Sequence, residues 1–178
     1  MEDERIQIVP LNATDFDALY AVASDPLVWE QHPNKDRYQH DVFLNFFKGA
    51  MESKGAFLVL DKATGQVIGS TRYYDTEEAD SIAIGYTFIG RAYWGGGYNP
   101  ALKKLMIDYA LQHYGAVIFH IGSQNIRSQT AIKRLGAKKI GEQEIAYYGE
   151  PAKLNFIYQI TKADWQEPKV EKPIALTQ

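Results

Sequence analysis

The chain has no cysteine among its 178 residues. Disulfide frameworks, thiolate zinc sites, iron–sulfur clusters and cysteine nucleophiles are therefore excluded. It also lacks long apolar runs. No stretch approaches the ~18 consecutive apolar residues of a membrane-spanning helix. The charged start, Met1 to Arg5, leads straight into Ile6-Gln7-Ile8-Val9, without the apolar run of about 7–15 residues that a signal peptide requires. A soluble cytoplasmic protein is the expectation. Basic charge is not in excess: Lys+Arg 19 against Asp+Glu 22 gives −3, which argues against a general nucleic-acid binder. What is present is ordinary for a globular protein, 46% hydrophobic and 23% charged residues, with an aromatic share of 13% that includes twelve tyrosines. The length suits one domain of roughly 100–200 residues. We read residues 1–165 as that domain and 166–178, with two prolines and few large apolar residues, as a mobile tail.

Hydrophobic periodicity orders the elements. Ile6 to Val9 is a short strand ended by Pro10. Thr14-Asp15 caps a helix through Ala23, and Asp25 to Tyr38 reads as a loop or short helix pair. A helix around Val42 to Ala50 closes near Gly55. Ala56–Leu60 and Val67–Tyr74 form a hairpin, and an acidic connection leads to the strand Ser81–Ile89, with a bulge at Gly85. The clearest helix carries Leu102, Leu105, Met106 and Tyr109. A strand Ala116–Ile121, a helix Asn125–Leu135 and a final hairpin, Lys138–Tyr148 with Lys153–Ile160, complete the domain. The pattern is mixed α+β and lacks the strict alternation of a doubly wound sheet.

Between the strand Ser81–Ile89 and the clearest helix lies Trp94-Gly95-Gly96-Gly97-Tyr98-Asn99-Pro100. Asn99 suits an N-cap and Pro100 the first helical position. Glycines before a helix N-terminus let backbone N–H groups converge on an anion, so a phosphate or pyrophosphate is the natural guest. The nucleotide P-loop needs Gly-Lys-Ser/Thr at the helix start, where this chain has Gly97-Tyr98-Asn99. The dinucleotide fingerprint needs a third glycine where Pro100 stands. A second element, Asn125-Ile126-Arg127-Ser128 through Leu135-Gly136-Ala137, opens the next helix. On its own it reads equally as an N-cap with a first-turn serine.

Together these two motifs resemble the GNAT N-acetyltransferase superfamily, and within it the RimJ/RimL-like branch of ribosomal-protein-alanine acetyltransferases. The resemblance covers nearly all of the chain except the tail. It implies a central, mostly antiparallel sheet splayed between the strands Ser81–Ile89 and Ala116–Ile121. It also implies acetyl-CoA as co-substrate, with no metal. Pantetheine would lie along Thr87-Phe88-Ile89, pyrophosphate on Trp94, Gly95, Gly96, Gly97, Tyr98 and Asn99, and Asn125 against the pantetheine arm. Ser128 matches the position near the sulfur. Ala92 stands where the superfamily prefers Arg or Gln. Ile140, before Gly141, stands where the ribosomal-type enzymes often carry a glutamate.

Amine acetylation needs a proton acceptor, an N–H donor for the developing oxyanion and a stabilised leaving thiolate. Glu142 is the foremost candidate base, with Glu144, His120, Glu30 and His32 behind it. His120 also reads as a hydrogen-bonded histidine of the sheet, and the glutamates as solvated hairpin residues. Tyr73, Tyr74, Tyr147 and Tyr148 are expected on the acceptor side or packed on the sheet. With no thiol in the chain, direct transfer from acetyl-CoA to a primary amine is the economical route. The acceptor would be a protein N-terminus, ribosomal or other, or a small-molecule amine, and the protein a monomer or homodimer. A catalytically weak acyl-CoA sensor is the alternative, and a glycine-loop nucleotide binder a third.

Overall fold

A computed structural model describes residues 1–146 and 151–166. Among these described residues seven strands and five α-helices follow one another: β1 (Ile6–Pro10), α1 (Phe16–Ala23), α2 (His40–Ser53), β2 (Ala56–Asp61), β3 (Val67–Tyr74), β4 (Ser81–Ile89), α3 (Tyr98–Ala110), β5 (Ala116–Gly122), α4 (Ile126–Arg134), β6 (Lys138–Ile145), β7 (Lys153–Thr161) and α5 (Lys162–Gln166). The strands form one sheet in the order β1-β2-β3-β4-β5-β7-β6. All neighbours are antiparallel except β4 and β5. The class is the mixed α+β expected from the sequence. Among the described residues no helix is long and apolar enough to cross a membrane.

Each sheet face carries its own core. On one, Leu102, Met106, Ile107 and Ala110 of α3 and Ile132 of α4 pack against Ile6, Val59, Ile68, Val117 and Phe119. On the other, Leu19 and Ala23 of α1 and Phe43, Phe46, Phe47 and Ala50 of α2 pack on Leu58 and Phe88, with Trp29 between them. The i, i+3, i+4, i+7 spacing of Phe43, Phe46, Phe47 and Ala50 sets that buried stripe of α2.

Two departures from regular pairing shape the centre. First, β4 and β5 pair only over Ser81↔Ala116, Ile82↔Val117 and Ala83↔Ile118. Beyond Ala83 and Ile118 they no longer pair, in keeping with the splay that the family resemblance implies. Second, the β3–β4 register shifts between Ser70 and Arg72, leaving one extra residue on β4. Tyr86 carries the positive φ of 53° there, so the bulge centres one residue beyond Gly85. An extra residue reverses the alternation of a strand. Before the bulge, Ile82 and Ile84 face α3. After it, Ile89 faces that side, while Tyr86 and Phe88 face α1 and α2. The reversal turns the Thr87 side chain toward α3, where Lys103 Nζ donates to its Oγ1 at 2.8 Å. Gly85 serves a different purpose: it leaves room for the Tyr74 ring, which a Cβ there would meet at 2.8 Å.

Several local details differ from the sequence reading. Helix α2 ends on Lys54, itself left-handed at φ 53°, while Gly55 leaves room for the Tyr73 carbonyl, which a Cβ would meet at 2.3 Å. Helix α3 starts at Tyr98 with Gly97 as N-cap at φ 82°, so Asn99 and Pro100 lie inside its first turn. Proline is tolerated there because first-turn N–H groups have no intrahelical partner. Strand β6 stops at Ile145, and the unexpected α5 runs through Gln166. The hairpin turn at Gly149-Glu150, Tyr147 and Tyr148, and the tail from 167 lie outside the described residues.

Candidate active site

A cleft of about 640 Å³ opens where β4 and β5 part, between the glycine loop and α4. Its wall includes Thr87, Phe88 and Ile89 from β4, Trp94, Gly95, Gly97, Tyr98 and Asn99 from the loop and α3, and Asn125 and Ser128 from the start of α4. Motifs far apart in sequence thus share one cavity. Gly96 is the one residue of the expected cofactor set that does not line it; its carbonyl accepts from Arg5. A smaller chamber of about 100 Å³ lies deeper in the splay. It shares His32, Thr87, Asn99, Asn125 and Ser128 with the cleft and adds Lys103 and His120.

The loop is held from its outer side. Trp94 Nε1 donates to the Ile89 carbonyl at 2.8 Å, Tyr98 to Asp61 at 3.0 Å and Tyr93 to Gln66 at 3.2 Å. Gly95 and Gly97 are left-handed, at φ 75° and 82°, and a Cβ at Gly95 would meet nothing within 4 Å. Among the described residues the N–H groups of Gly95, Gly96 and Gly97 donate to no protein acceptor. Free N–H groups beside the N-terminus of a 13-residue helix make an anion seat. The surrounding charge agrees. Arg127 and Arg134 line the cleft, and no aspartate or glutamate among the described residues lines cleft or chamber. In a chain of net charge −3, this is a locally cationic cavity suited to pyrophosphate.

Asn125 is the N-cap of α4, its Oδ1 accepting from the Ser128 N–H at 3.1 Å. Capping holds Asn125 and Ser128 on the cavity wall, and the Ser128 hydroxyl makes no hydrogen bond among the described residues. Gln129 braces the same corner, donating to the carbonyls of Gly122 and Ser123 and accepting from Tyr158.

The candidate bases fare differently. Glu142 stands exposed on the outermost strand, β6, opposite Phe156 and 3.2 Å from Lys139 Nζ. Strand β7 separates it from β5, and it lines neither cavity. Glu144 shares that strand, opposite Leu154, and Glu30 is exposed. Ile140 falls at a register shift of the same strand and is half-exposed. His32 borders both cavities, but its ring is engaged: Arg37 donates toward Nε2 at 3.2 Å and Nδ1 sits 3.2 Å from the Asn34 carbonyl. Burial, then the Arg37 charge, push its pKa well below 6.5. His120 lies in the chamber with Nδ1 2.8 Å from the Tyr74 hydroxyl. Burial lowers its pKa, partly opposed by Glu78.

Lys103 was invisible to the motif reading. Within Leu102-Lys103-Lys104 it looks like one of two solvated lysines, yet only 6% of its surface is exposed. The signal that finds it is the helical wheel: Lys103, Met106, Ile107 and Ala110 form one buried stripe. Arg127 stands out in the sequence only as part of the Asn125–Ser128 motif, and nothing in the sequence singles out Arg134.

The model of the Acetyltransferase (GNAT) domain matches residues 5–138. Solved structures share the fold. A probable GNAT-family acetyltransferase from Chromobacterium violaceum ATCC 12472 superposes with a TM-score of 0.79 at 20% identity, over 93% of this chain and 87% of that one. RimJ from Mycobacterium smegmatis, in complex with CoA-disulfide, gives 0.69 at 15% identity over 91% and 84%. Spermidine N-acetyltransferase from Vibrio cholerae, in complex with CoA and spermine, gives 0.69 at 12% identity over 93% and 100%. No curated protein matches the chain. With the glycine loop, the splayed β4–β5 pair and a family match spanning most of its length, the chain belongs to the GNAT acetyltransferase family.

Proposed function

We propose that this protein is an acetyl-CoA-dependent N-acetyltransferase of the RimJ/RimL-like branch. It would act in the cytoplasm on a primary amine, either a protein N-terminus or a small-molecule amine. The observation that carries the reading is the glycine loop, where the N–H groups of Gly95, Gly96 and Gly97 have no protein partner among the described residues, beside a cleft lined by Gly95, Gly97 and two arginines and by no carboxylate among the described residues. When bound, acetyl-CoA supplies an acyl group already activated as a thioester. The N–H groups of Gly95 to Tyr98 hold the pyrophosphate oxygens, and Arg127 and Arg134 balance their charge. The Thr87–Ile89 segment and Asn125 orient the pantetheine arm, and Ser128 offers a hydroxyl to the sulfur. Phe88, Ile89 and Trp29 keep water from this wall of the cleft. Holding both reactants in the splay turns the attack into a step between oriented neighbours. That RimJ was solved with CoA-disulfide and spermidine N-acetyltransferase with CoA supports the cofactor assignment.

One observation favours a second reading. A cavity with no lining carboxylate among the described residues suits an acyl-CoA sensor as well as an enzyme. Calorimetry with CoA, and thiol release from acetyl-CoA with an amine panel, separate the two. Gly97→Asp places a carboxylate against the phosphate seat and should weaken CoA binding about tenfold or more. Unchanged affinity would place the phosphates elsewhere. Tight CoA binding without acceptor-dependent thiol release would favour the sensor.

A further inference from the structure

The chamber at the base of the splay is lined by three side chains with a basic nitrogen: His32, His120 and Lys103. His32 is engaged through Arg37 and Asn34, and His120 is bonded to Tyr74 as a sheet histidine commonly is. Lys103 has no such ordinary explanation. It occupies a core-facing position of α3, and among the described residues no carboxylate pairs with it. Its Nζ donates to Thr87 Oγ1 and lies 5.7 Å from the centre of the Phe119 ring. Thr87 in turn is 2.9 Å from the Thr71 hydroxyl. A buried amine with no counter-charge costs stability, so its presence at this spot calls for a use.

Position supplies one. Thr87 borders both cavities, as do Asn99, one turn before Lys103, and Ser128. The amine therefore stands one hydrogen bond from the junction through which the thioester end of acetyl-CoA must enter. Resting on the acetyl-CoA reading above, we infer that Lys103 is the catalytic proton carrier of the transfer: its neutral amine takes the proton of the attacking amine and returns it to the departing sulfur. The balance closes. The acceptor nitrogen bonds to the carbonyl carbon, and its proton passes to Lys103 Nζ. The carbon–sulfur bond breaks with its electron pair on sulfur, and the Lys103 ammonium then protonates that thiolate and is neutral again. No further reactant is needed. Burial alone pushes the Lys103 amine down to about 7, where it can both accept and donate at neutral pH. Burial holds His32 and His120 below their ordinary value, with the Arg37 charge acting on the first and Glu78 on the second.

The experiment uses CoA itself as the probe, with desulfo-CoA as the spectroscopic blank. Because the chain has no cysteine, thiolate absorbance in the complex belongs to CoA alone. In the wild type the bound thiol should titrate at least about one pH unit below its value in Lys103→Met, a tenfold gain in thiolate at a given pH. CoA affinity should agree within about threefold between the two proteins, since the phosphates bind elsewhere. Without any ligand, Lys103→Met should melt above the wild type at pH 7, with the gap closing toward pH 10, because the buried amine no longer has to shed its proton to fold. Equal thiol titration in the two proteins, or a shift that disappears instead in His120→Asn, would overturn the assignment. So would a Lys103→Met protein that melts below the wild type and no longer binds CoA, since Lys103 would then be structural. Failure of the wild type to bind CoA would sink the cofactor reading itself and this inference with it.

Discussion

The Arg127 guanidinium lies 4.0 Å from the centre of the Trp94 ring. This pair joins α4 to the glycine loop across the mouth of the cleft, and Arg127 also donates to the Val28 carbonyl at 3.4 Å. A guanidinium on an aromatic face contributes about 0.5–2 kcal/mol, and the same charge faces the proposed phosphates. Arg127→Ala should weaken CoA binding about tenfold. Arg127→Lys should recover only part of this, because an ammonium keeps the charge without the planar stack. Calorimetry on the two variants distinguishes charge from stacking, and full recovery by lysine would assign the whole effect to charge.

Ser128 and Asn125 should separate kinetically. Ser128→Ala removes a hydroxyl with no partner among the described residues, so stability should hardly change. If the hydroxyl serves the sulfur, kcat falls while KM for acetyl-CoA stays near its wild-type value. Asn125→Ala removes the α4 cap and should cost about 1 kcal/mol of folding stability in addition to any loss of affinity. Denaturant titration beside steady-state kinetics reads both effects.

His32 makes the fold sensitive to acid. Its folded pKa lies well below the ordinary 6.5. Below that ordinary value the unfolded chain binds a proton that the folded chain refuses, so stability falls as pH falls. The contribution is at most about 1.4 kcal/mol per pH unit. Urea titrations between about pH 6.5 and 5 should show a shallower slope in His32→Gln than in the wild type. An identical slope would assign the acid sensitivity to other groups, such as His120.

Lys54 offers a test of backbone strain away from the site. It is exposed and ends α2 at φ 53°, a conformation that glycine adopts without a Cβ penalty. Lys54→Gly should stabilise the protein by up to about 1 kcal/mol in thermal or urea unfolding, with no effect on CoA binding.

The legible parts of this protein were those set by neighbours in the chain. Gly95-Gly96-Gly97 before a helix, Asn125 three residues ahead of Ser128, and Gly65 in the β2–β3 turn each act through backbone geometry within a few residues, so their local conformations can be read from the letters. Phe43, Phe46, Phe47 and Ala50 announce their helix face by spacing alone. Glu142 shows the limit of that reading. Its place near a family position in sequence suggested a base, but strand order puts β7 between it and the splay. Lys103 shows the converse: one letter of a lysine pair, buried because α3 docks that face on β4 and β5.

The sequence by itself determined the fold class, the glycine loop leading into α3 and the exclusion of thiol chemistry, because each follows from composition or local spacing. Only the tertiary structure decided which side chains meet. The parting of β4 from β5 after Ala83 and Ile118, and the extra residue at Tyr86 that turns Thr87 toward Lys103, depend on the register between strands. Register is settled by packing across the whole sheet, so no stretch of the chain records it alone.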